Sequence, residues 1–251
     1  MKLDNTTALV TGAASGLGAA TAADLAAKGA TVFALDLPDA IEKAPTVDGV
    51  TYVAADVTVP EQVQAAVATA ASAGTLRTVV NCAGIGPSMR TIGRKGVHDI
   101  GLYAKVVQIN LVGTFTVLAY GAEAIAATEP DENGQRGVIV NTASAAAYEG
   151  QIGQVAYASS KGGVVGMTLP AARDLSSVGI RVCTIAPGIV DTPMLATVSE
   201  EVRAGLSAGV PFPHRMCRPD EYAQLVAMIV DHDYLNGETI RMDGALRMAP
   251  R

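Results

Sequence analysis

The chain has 251 residues, 49% of them hydrophobic and 17% charged, enough to bury a sizeable core as one large domain or two small ones. A formal net charge of -6, with no Lys/Arg block, argues against a nucleic-acid surface, although one local cationic patch would still suffice for an anionic substrate. The cysteines Cys82, Cys183 and Cys217 include no C-x-x-C pair, which argues against a disulfide scaffold and a zinc site and leaves buried free thiols in a reducing compartment.

Aromatic residues make up only 4% and Trp is absent, so small aliphatic side chains must do the packing. Met1-Lys2-Leu3-Asp4 leads almost directly into a strand-like run. It shows no apolar signal core and no Arg/Ser-rich transit stretch. No apolar run is read as long enough to span a bilayer. The expectation is a cytoplasmic protein with no membrane and no nucleic-acid partner.

Thr6–Val10 is the first predicted strand, followed by Thr11-Gly12-Ala13-Ala14-Ser15-Gly16-Leu17-Gly18 and a helix over Ala19–Lys28 that stops at Gly29. Thr31–Leu35 is a strand closing on Asp36, and Val50–Ala54 another. A helix is predicted over Val59–Ala73 and a strand over Leu76–Val80, ending at Asn81. Val97–Ala127 has long helical patterning, and Pro130 and Gly134 mark a loop. Gly137–Asn141 is a strand, Gln154–Ser176 a helix ended by Gly179, and Ile180–Ile185 a strand running into Pro187-Gly188. Pro219–Val230 is a helix and Glu238–Met242 the last strand.

Strands alternate with helices and are continuous apolar runs, the pattern of strands buried on both faces of a parallel sheet. Residues 1–251 therefore read as one doubly wound α/β domain with helices on both faces. Ligands of such sheets bind outside the carboxyl ends of the strands, where strand order reverses. Asn81, Ser144 and Pro187-Gly188 all follow strand ends and should crowd that edge.

Gly12, Gly16 and Gly18 join the first strand to the first helix. Glycines there let the backbone turn sharply and approach a pyrophosphate, and the helix start offers free N–H groups. Asp36, at the end of the second strand, stands where a ribose would lie; a carboxylate there accepts from a 2′-hydroxyl and repels a 2′-phosphate. No Lys or Arg falls between residues 12 and 18 or directly after Asp36, so the expected cofactor is NAD rather than NADP. A turn cap is the competing reading of Asp36. Asp56-Val57 follows the third strand, and its carboxylate either meets the adenine edge or caps the helix near Val59.

Tyr157 and Lys161 lie thirteen and seventeen residues after Ser144. A four-residue step puts both side chains on one helix face. An ammonium near a phenol favours the phenolate, turning a tyrosine of pKa about 10 into a usable general acid/base. His98, His214 and His232 have no metal-ligand spacing, no metal site is expected, and His98 and His232 read as surface residues.

Taken together, the glycine-rich turn at 11–18, Asn81-Cys82-Ala83-Gly84, Asn110, Ser144, Tyr157-x-x-x-Lys161 and Pro187-Gly188 resemble the short-chain dehydrogenase/reductase family over nearly the whole chain. The resemblance implies a Rossmann-like fold. It also implies cofactor contacts at Gly12, Ser15, Gly16, Leu17, Gly18, Asp36, Asp56, Val57, Asn81, Ala83, Gly84, Tyr157, Lys161, Pro187, Gly188, Val190 and Thr192. Tyr157 is implied as general acid/base. Lys161 would lower its pKa and hold the nicotinamide ribose. Ser144 would hold the substrate oxygen, and Asn110 a water linking Lys161 to solvent. A plain structural bond is the competing reading of Asn110, and helix capping before Pro193 that of Thr192. Cys82 departs from the pattern, which usually has a second Asn there.

A narrower likeness, to the branch acting on 3-hydroxyacyl-CoA, runs through Asn141–Ser144, Tyr148-Glu149-Gly150-Gln151, Gly166–Pro170, Leu235–Glu238 and Arg241–Ala245. It implies NAD-dependent interconversion of 3-hydroxyacyl-CoA and 3-ketoacyl-CoA by a homotetramer. Contacts between subunits would fall near 98–127, 154–176 and 238–249. Residues 189–215, with Pro211, Pro213 and the apolar Leu195, Val198, Leu206 and Phe212, are expected to form a substrate lid, with ordinary amphipathic packing as the competing reading. His214-Arg215 and Arg94-Lys95 are candidates for a phosphate of CoA, with solvated loop as the alternative for the second pair. A 3-oxoacyl-carrier-protein reductase, a hydroxysteroid or simple secondary-alcohol dehydrogenase and a non-catalytic dinucleotide-binding scaffold are the competing readings. Asp36 disfavours the first, and the joint presence of Ser144, Tyr157 and Lys161 disfavours the last.

Overall fold

A seven-stranded parallel sheet organises the chain. The structure is a computed structural model that describes residues 1–94, 96–195 and 199–250. The strands are β1 (Thr7–Thr11), β2 (Thr31–Asp36), β3 (Val50–Ala54), β4 (Leu76–Asn81), β7 (Gly137–Thr142), β8 (Ile180–Pro187) and β9 (Thr239–Met242), side by side in the order β3-β2-β1-β4-β7-β8-β9. A separate two-residue hairpin, β5 (Ile92–Gly93) with β6 (Gly96–Val97), projects between β4 and the next helix. Strand order reverses between β1 and β4, so the carboxyl ends of those two strands open the crevice expected of a doubly wound sheet.

The main helices are α1 (Gly16–Ala27), α3 (Pro60–Ser72), α4 (Ile100–Val107), α5 (Thr114–Ala126), α7 (Val155–Ser176) and α9 (Pro219–Asp231). Short helices α2 (Pro38–Ile41), α6 (Ala146–Glu149) and α8 (Glu200–Ala208) join them. Leu25 of α1 and Tyr222, Val226 and Ile229 of α9 pack with Val10, Val80 and Val140 on one face of the sheet. Val63 and Val67 of α3, Val117 of α5 and Ala172 of α7 pack with Leu9, Val79 and Ile139 on the other. Burying each such Val or Leu is worth about 1.5–3 kcal/mol. Successive strand residues thus serve opposite core layers, which explains why the strands are uniformly apolar.

Several element boundaries differ from the sequence expectation. Helix α1 begins at Gly16 rather than Ala19, with Ser15 as its N-cap. Gly16 and Gly18 are therefore in the first turn of the helix, and its unpaired N–H groups lie inside the motif itself. Strand β8 runs on to Pro187, because β9 and β7 pair it as far as Met242 and Thr142. The continuous helical stretch Ile100–Ala126 is 27 residues long, with a mean hydropathy of 1.4 over its most apolar window. By length and composition it is long enough to cross a membrane, contrary to the expectation that no such segment exists. Lys105, Gln108 and Asn110 interrupt its apolar runs in sequence, while Val106, Val117, Leu118 and Ile125 are buried in this fold. His98 is also buried rather than at the surface, with its Nδ1 2.7 Å from the Asp99 carbonyl oxygen and its ring edge-on to Tyr103.

Candidate active site

The carboxyl ends of β1, β4, β7 and β8 bring the expected residues to one edge. At the first of these ends, Gly12 has φ +63°, and a Cβ there would lie 2.8 Å from the Ala83 backbone. Only glycine meets both conditions. Thr11 Oγ1 accepts from the Cys82 and Ala83 N–H groups, each at 3.2 Å, and so ties the turn to the end of β4. Gly16, at φ +55°, faces the Thr192 side chain; a Cβ on it would sit 3.5 Å from Thr192 Cβ and Cγ2. Thr192 and the glycine turn thus line the same space from opposite sides. Ser15 is exposed at the helix start and makes no side-chain cap bond, whereas Leu17 packs partly into the core.

Asp36 holds the turn from the β2 side. Its Oδ2 accepts from Ala14 N–H at 2.9 Å and its Oδ1 from Leu37 N–H at 2.8 Å. It is therefore a turn-stabilising residue already, and its two carboxylate oxygens keep acceptor capacity beyond these bonds. Asp56 Oδ1 accepts from both the Thr58 N–H and hydroxyl, at 2.8 and 2.7 Å, which closes a turn ahead of α3 rather than capping it, since the N-cap is Val59 with no side-chain cap bond. Val57 is buried against Gly113. Asn81 is buried and donates to Asn141 Oδ1 at 2.9 Å across the β4–β7 ladder. Pro187 accepts from Ala145 N–H at 2.8 Å, Gly188 lies close against Asp243, and Val190 bridges to Cys217.

Ser144 follows β7, and its Oγ accepts from Ala146 N–H at 3.1 Å, a bond that orients the hydroxyl. Tyr157 and Lys161 project from the first turns of α7, with the Lys161 Nζ 5.9 Å from the Tyr157 ring centroid. Burial pushes the Tyr157 phenol above its ordinary value, and the Ser144 hydroxyl acts the other way. Lys161 is only 4% exposed, and burial pushes its ammonium down to about 8. The expectation that Lys161 depresses the Tyr157 pKa is therefore not met in this state. Desolvation of a buried phenolate outweighs an ammonium that is itself desolvated and turned toward Thr142, whose carbonyl accepts from it at 2.7 Å.

Asn110 sits in a π-helical turn, Gln108–Gly113, between α4 and α5, and is fully buried. Its Nδ2 donates to Ile85 O at 2.9 Å and Ser160 Oγ at 3.0 Å, and its Oδ1 accepts from Ile85 N–H at 2.8 Å. Both amide protons are thus committed within the protein. Gly84 separates Asn110 from Lys161: a Cβ on it would lie 3.2 Å from Asn110 Oδ1 and 3.6 Å from Lys161 Nζ. Ser160 and Thr142 are contacts that spacing alone did not single out, although both neighbour residues that it did.

The 189–215 segment contributes Met194, whose Sδ lies 3.5 Å from a Cβ built on Gly86, with Tyr157 Cε2 at 3.6 Å from the same point. Arg203 of α8 pairs with Asp191 at 2.5 Å, fastening the segment to the loop that carries Thr192. Residues 196–198, Val198 among them, and Lys95 lie outside the described residues. Arg215 is engaged bidentately by Glu221, each bond 2.7 Å. A groove of about 450 Å³ lies between Arg90–Ile92 and the 150–155 loop and does not include Ser144, Tyr157 or Lys161. Among the described residues no cluster of His, Cys, Asp and Glu suited to a metal ion occurs.

This fold, with this edge, defines an oxidoreductase that works with a dinucleotide. A family model described as short chain dehydrogenase matches residues 6–203. The 3-hydroxyacyl-CoA dehydrogenase type-2 of Drosophila melanogaster is 52% identical, covering 99% of this chain and all of that protein. The Homo sapiens protein of the same name is 49% identical over 97% of this chain and 95% of its own length. The crystal structure of 3-hydroxyacyl-CoA dehydrogenase type-2 from Mycobacterium avium superposes with a TM-score of 0.92 at 42% identity, covering both chains fully. The chain belongs to the short-chain dehydrogenase/reductase family, whose members use NAD or NADP.

Proposed function

We propose that this protein is an NAD-dependent 3-hydroxyacyl-CoA dehydrogenase with Tyr157 as its general acid/base. The observation that carries the reading is the meeting of Ser144, Tyr157 and Lys161 beside a glycine turn whose Gly12 leaves no room for a side chain. The names of the relatives support the substrate class.

The residues fit a dinucleotide. The Gly12 cradle and the free N–H groups of α1 suit a pyrophosphate, and Asp36, with no Lys or Arg between residues 12 and 18, suits a free 2′-hydroxyl. When bound, the nicotinamide supplies the hydride acceptor for alcohol oxidation and the hydride donor for ketone reduction. Tyr157 does the proton work: its phenolic oxygen takes the substrate hydroxyl proton in oxidation and returns one to the forming alkoxide in reduction. Ser144 Oγ donates to the substrate oxygen, where negative charge develops. Lys161 supplies a fixed positive charge behind Tyr157 and a donor toward a ribose. Thr192 and Met194 close the space from the lid side.

A homotetramer is part of the same proposal. Val112 and Phe115 on the long helix and Leu169 on α7 leave large apolar surfaces open, 40%, 55% and 45% exposed. Light scattering on Phe115→Asp checks this: the variant is expected to dissociate, and an unchanged mass would remove the long helix from the interface.

Turnover of acetoacetyl-CoA, longer 3-ketoacyl-CoA esters, their carrier-protein equivalents and a hydroxysteroid with NADH and NADPH tests the function. The CoA esters with NADH are expected to react fastest. Reaction of carrier-protein esters alone would replace the substrate class. Tyr157→Phe is expected to cut turnover by about 10²–10⁴-fold, and a variant near wild-type rate would overturn the catalytic assignment.

A further inference from the structure

Tyr222 lies in the first turn of α9, on the opposite face of the sheet from α7, and is completely buried. Its hydroxyl is 2.6 Å from Thr142 Oγ1. Thr142 Oγ1 in turn donates to the Asn81 carbonyl at 2.5 Å. A carbonyl only accepts, so the single Thr142 proton is spent there, and Tyr222 must donate to Thr142. The Cys82 thiol completes the row by donating to Tyr222 Oη at 3.8 Å. The result is one-directional, from Cys82 to Tyr222 to Thr142 to Asn81, and such chains polarise and stiffen one another.

Where this row ends decides its use. The β4–β7 ladder stops at the pair Asn81–Asn141, so Thr142 lies one residue beyond it. Its side chain, rather than ladder bonds to β4, fixes it against that strand. On the other side its pairing with Ile185 of β8 continues. The main-chain carbonyl of the same residue accepts from Lys161 Nζ at 2.7 Å. Among the described residues that is the one hydrogen bond the ammonium makes. Tilting the Thr142 peptide would therefore move the acceptor that holds Lys161 in place.

We propose that Tyr222 is a positioning residue for the Lys161 ammonium, acting through Thr142 across the thickness of the sheet. The inference rests on the role given to Lys161 above. Burial holds the Tyr222 phenol well above its ordinary value, so it remains a neutral donor across the working pH range. The titratable groups that face Lys161 are Tyr157 on its own helix and Cys82 at the end of β4; the π-helical turn presents only the neutral Asn110, and Tyr222 lies behind Thr142.

The test is Tyr222→Phe in the intact enzyme, with the pH profile of ketone reduction read beside Tm. Loss of one hydrogen bond is expected to lower kcat about fivefold, with KM for the ketone substrate held within about twofold. The falling limb of the reduction profile is expected to move to lower pH, since an ammonium that loses its carbonyl acceptor gives up its proton more readily. Thr142→Val, which keeps volume and main-chain carbonyl, should reproduce the shift, and Thr142→Ser should rescue it. The double variant should be no worse than either single one. A Tyr222→Phe enzyme with wild-type kcat and profile overturns the proposal even if its Tm falls, and so does a double variant whose losses multiply. Lys161→Ala run alongside separates the two failures. Full turnover in that variant overturns the reading of Lys161 itself. A dead Lys161→Ala with a wild-type Tyr222→Phe overturns only the role of Tyr222.

Discussion

Lys161 points its ammonium at the Thr142 carbonyl, 2.7 Å away, while standing 5.9 Å from the centre of the Tyr157 ring. Burial drives both members of this pair toward their neutral forms, the phenol upward and the ammonium down to about 8. The Tyr157 proton is thus secure at neutral pH, and the Lys161 charge is the first to be lost as pH rises. For ketone reduction, kcat/KM is expected to fall through about pH 8, well below the ordinary tyrosine range. A profile flat to pH 9 would show that the ammonium keeps its proton in the working enzyme.

Cofactor choice is expected to sit largely on Asp36. Its carboxylate braces Ala14 and Leu37 and, by our proposal, accepts from a ribose hydroxyl. A hydrogen bond to a charged group is worth about 1.5–3 kcal/mol. Asp36→Ala should therefore raise the NAD KM by about tenfold or more while NADP turnover rises. Steady-state kinetics with both cofactors check this, and an unchanged NAD:NADP ratio would place the discrimination elsewhere.

Two glycines should respond in opposite directions to alanine. Gly12 has φ +63° and backbone atoms 2.8 Å from a would-be Cβ. Gly12→Ala is expected to lower Tm and abolish dinucleotide binding measured by fluorescence titration. Gly205, in the middle of α8, has no heavy atom within 4 Å of a built Cβ. Gly205→Ala should stabilise that helix by about 0.5–1 kcal/mol. Protection of the α8 amides in hydrogen exchange reports it, and unchanged protection would count against the helix-propensity argument.

Acid stability should depend on Glu221. Arg215 beside it, with the Arg218 N–H, holds its carboxyl down at about 2. A carboxylate depressed in the folded state stabilises above its unfolded pKa of about 4.3 and loses that contribution as pH falls toward 2. Urea midpoints at pH 6 and pH 3 should differ less in Glu221→Gln than in the wild type. Equal differences would mean that the Arg215 pair contributes nothing measurable to folding.

The order of elements was legible because the physics behind it is local. Uniformly apolar strands such as Leu76–Val80 imply burial on both faces, and Gly29, Gly179 and Pro187-Gly188 mark ends that the structure places within three residues. Where local reasoning failed, a longer-range cause is visible. Helix α1 takes in Gly16, which faces Thr192, and Gly18, which packs against the Gly12 carbonyl, and β8 runs long because β9 pairs it. Short α6 and the hairpin at Ile92–Val97 gave no periodic signal, being too brief to show one.

The candidate site divides in the same way. Spacing placed Tyr157 and Lys161 on one helix face, since the rise of a helix is independent of its surroundings. Ser144 was readable as a residue just past a strand end. Nothing in the spacing revealed that Asn110 would spend both amide protons on Ile85 and Ser160, or that Thr142 would receive Lys161. Those partners lie 25, 50 and 19 residues apart.

From its own order of residues the chain determined a parallel sheet, a glycine turn shaped for a phosphate and a tyrosine one helical turn from a lysine, because each of these follows from neighbours a few positions away. Only the folded arrangement decided how those groups titrate and what holds them. Desolvation and hydrogen bonding arise from segments that meet across the sheet, as Thr142 does with Lys161 on one face and Tyr222 on the other.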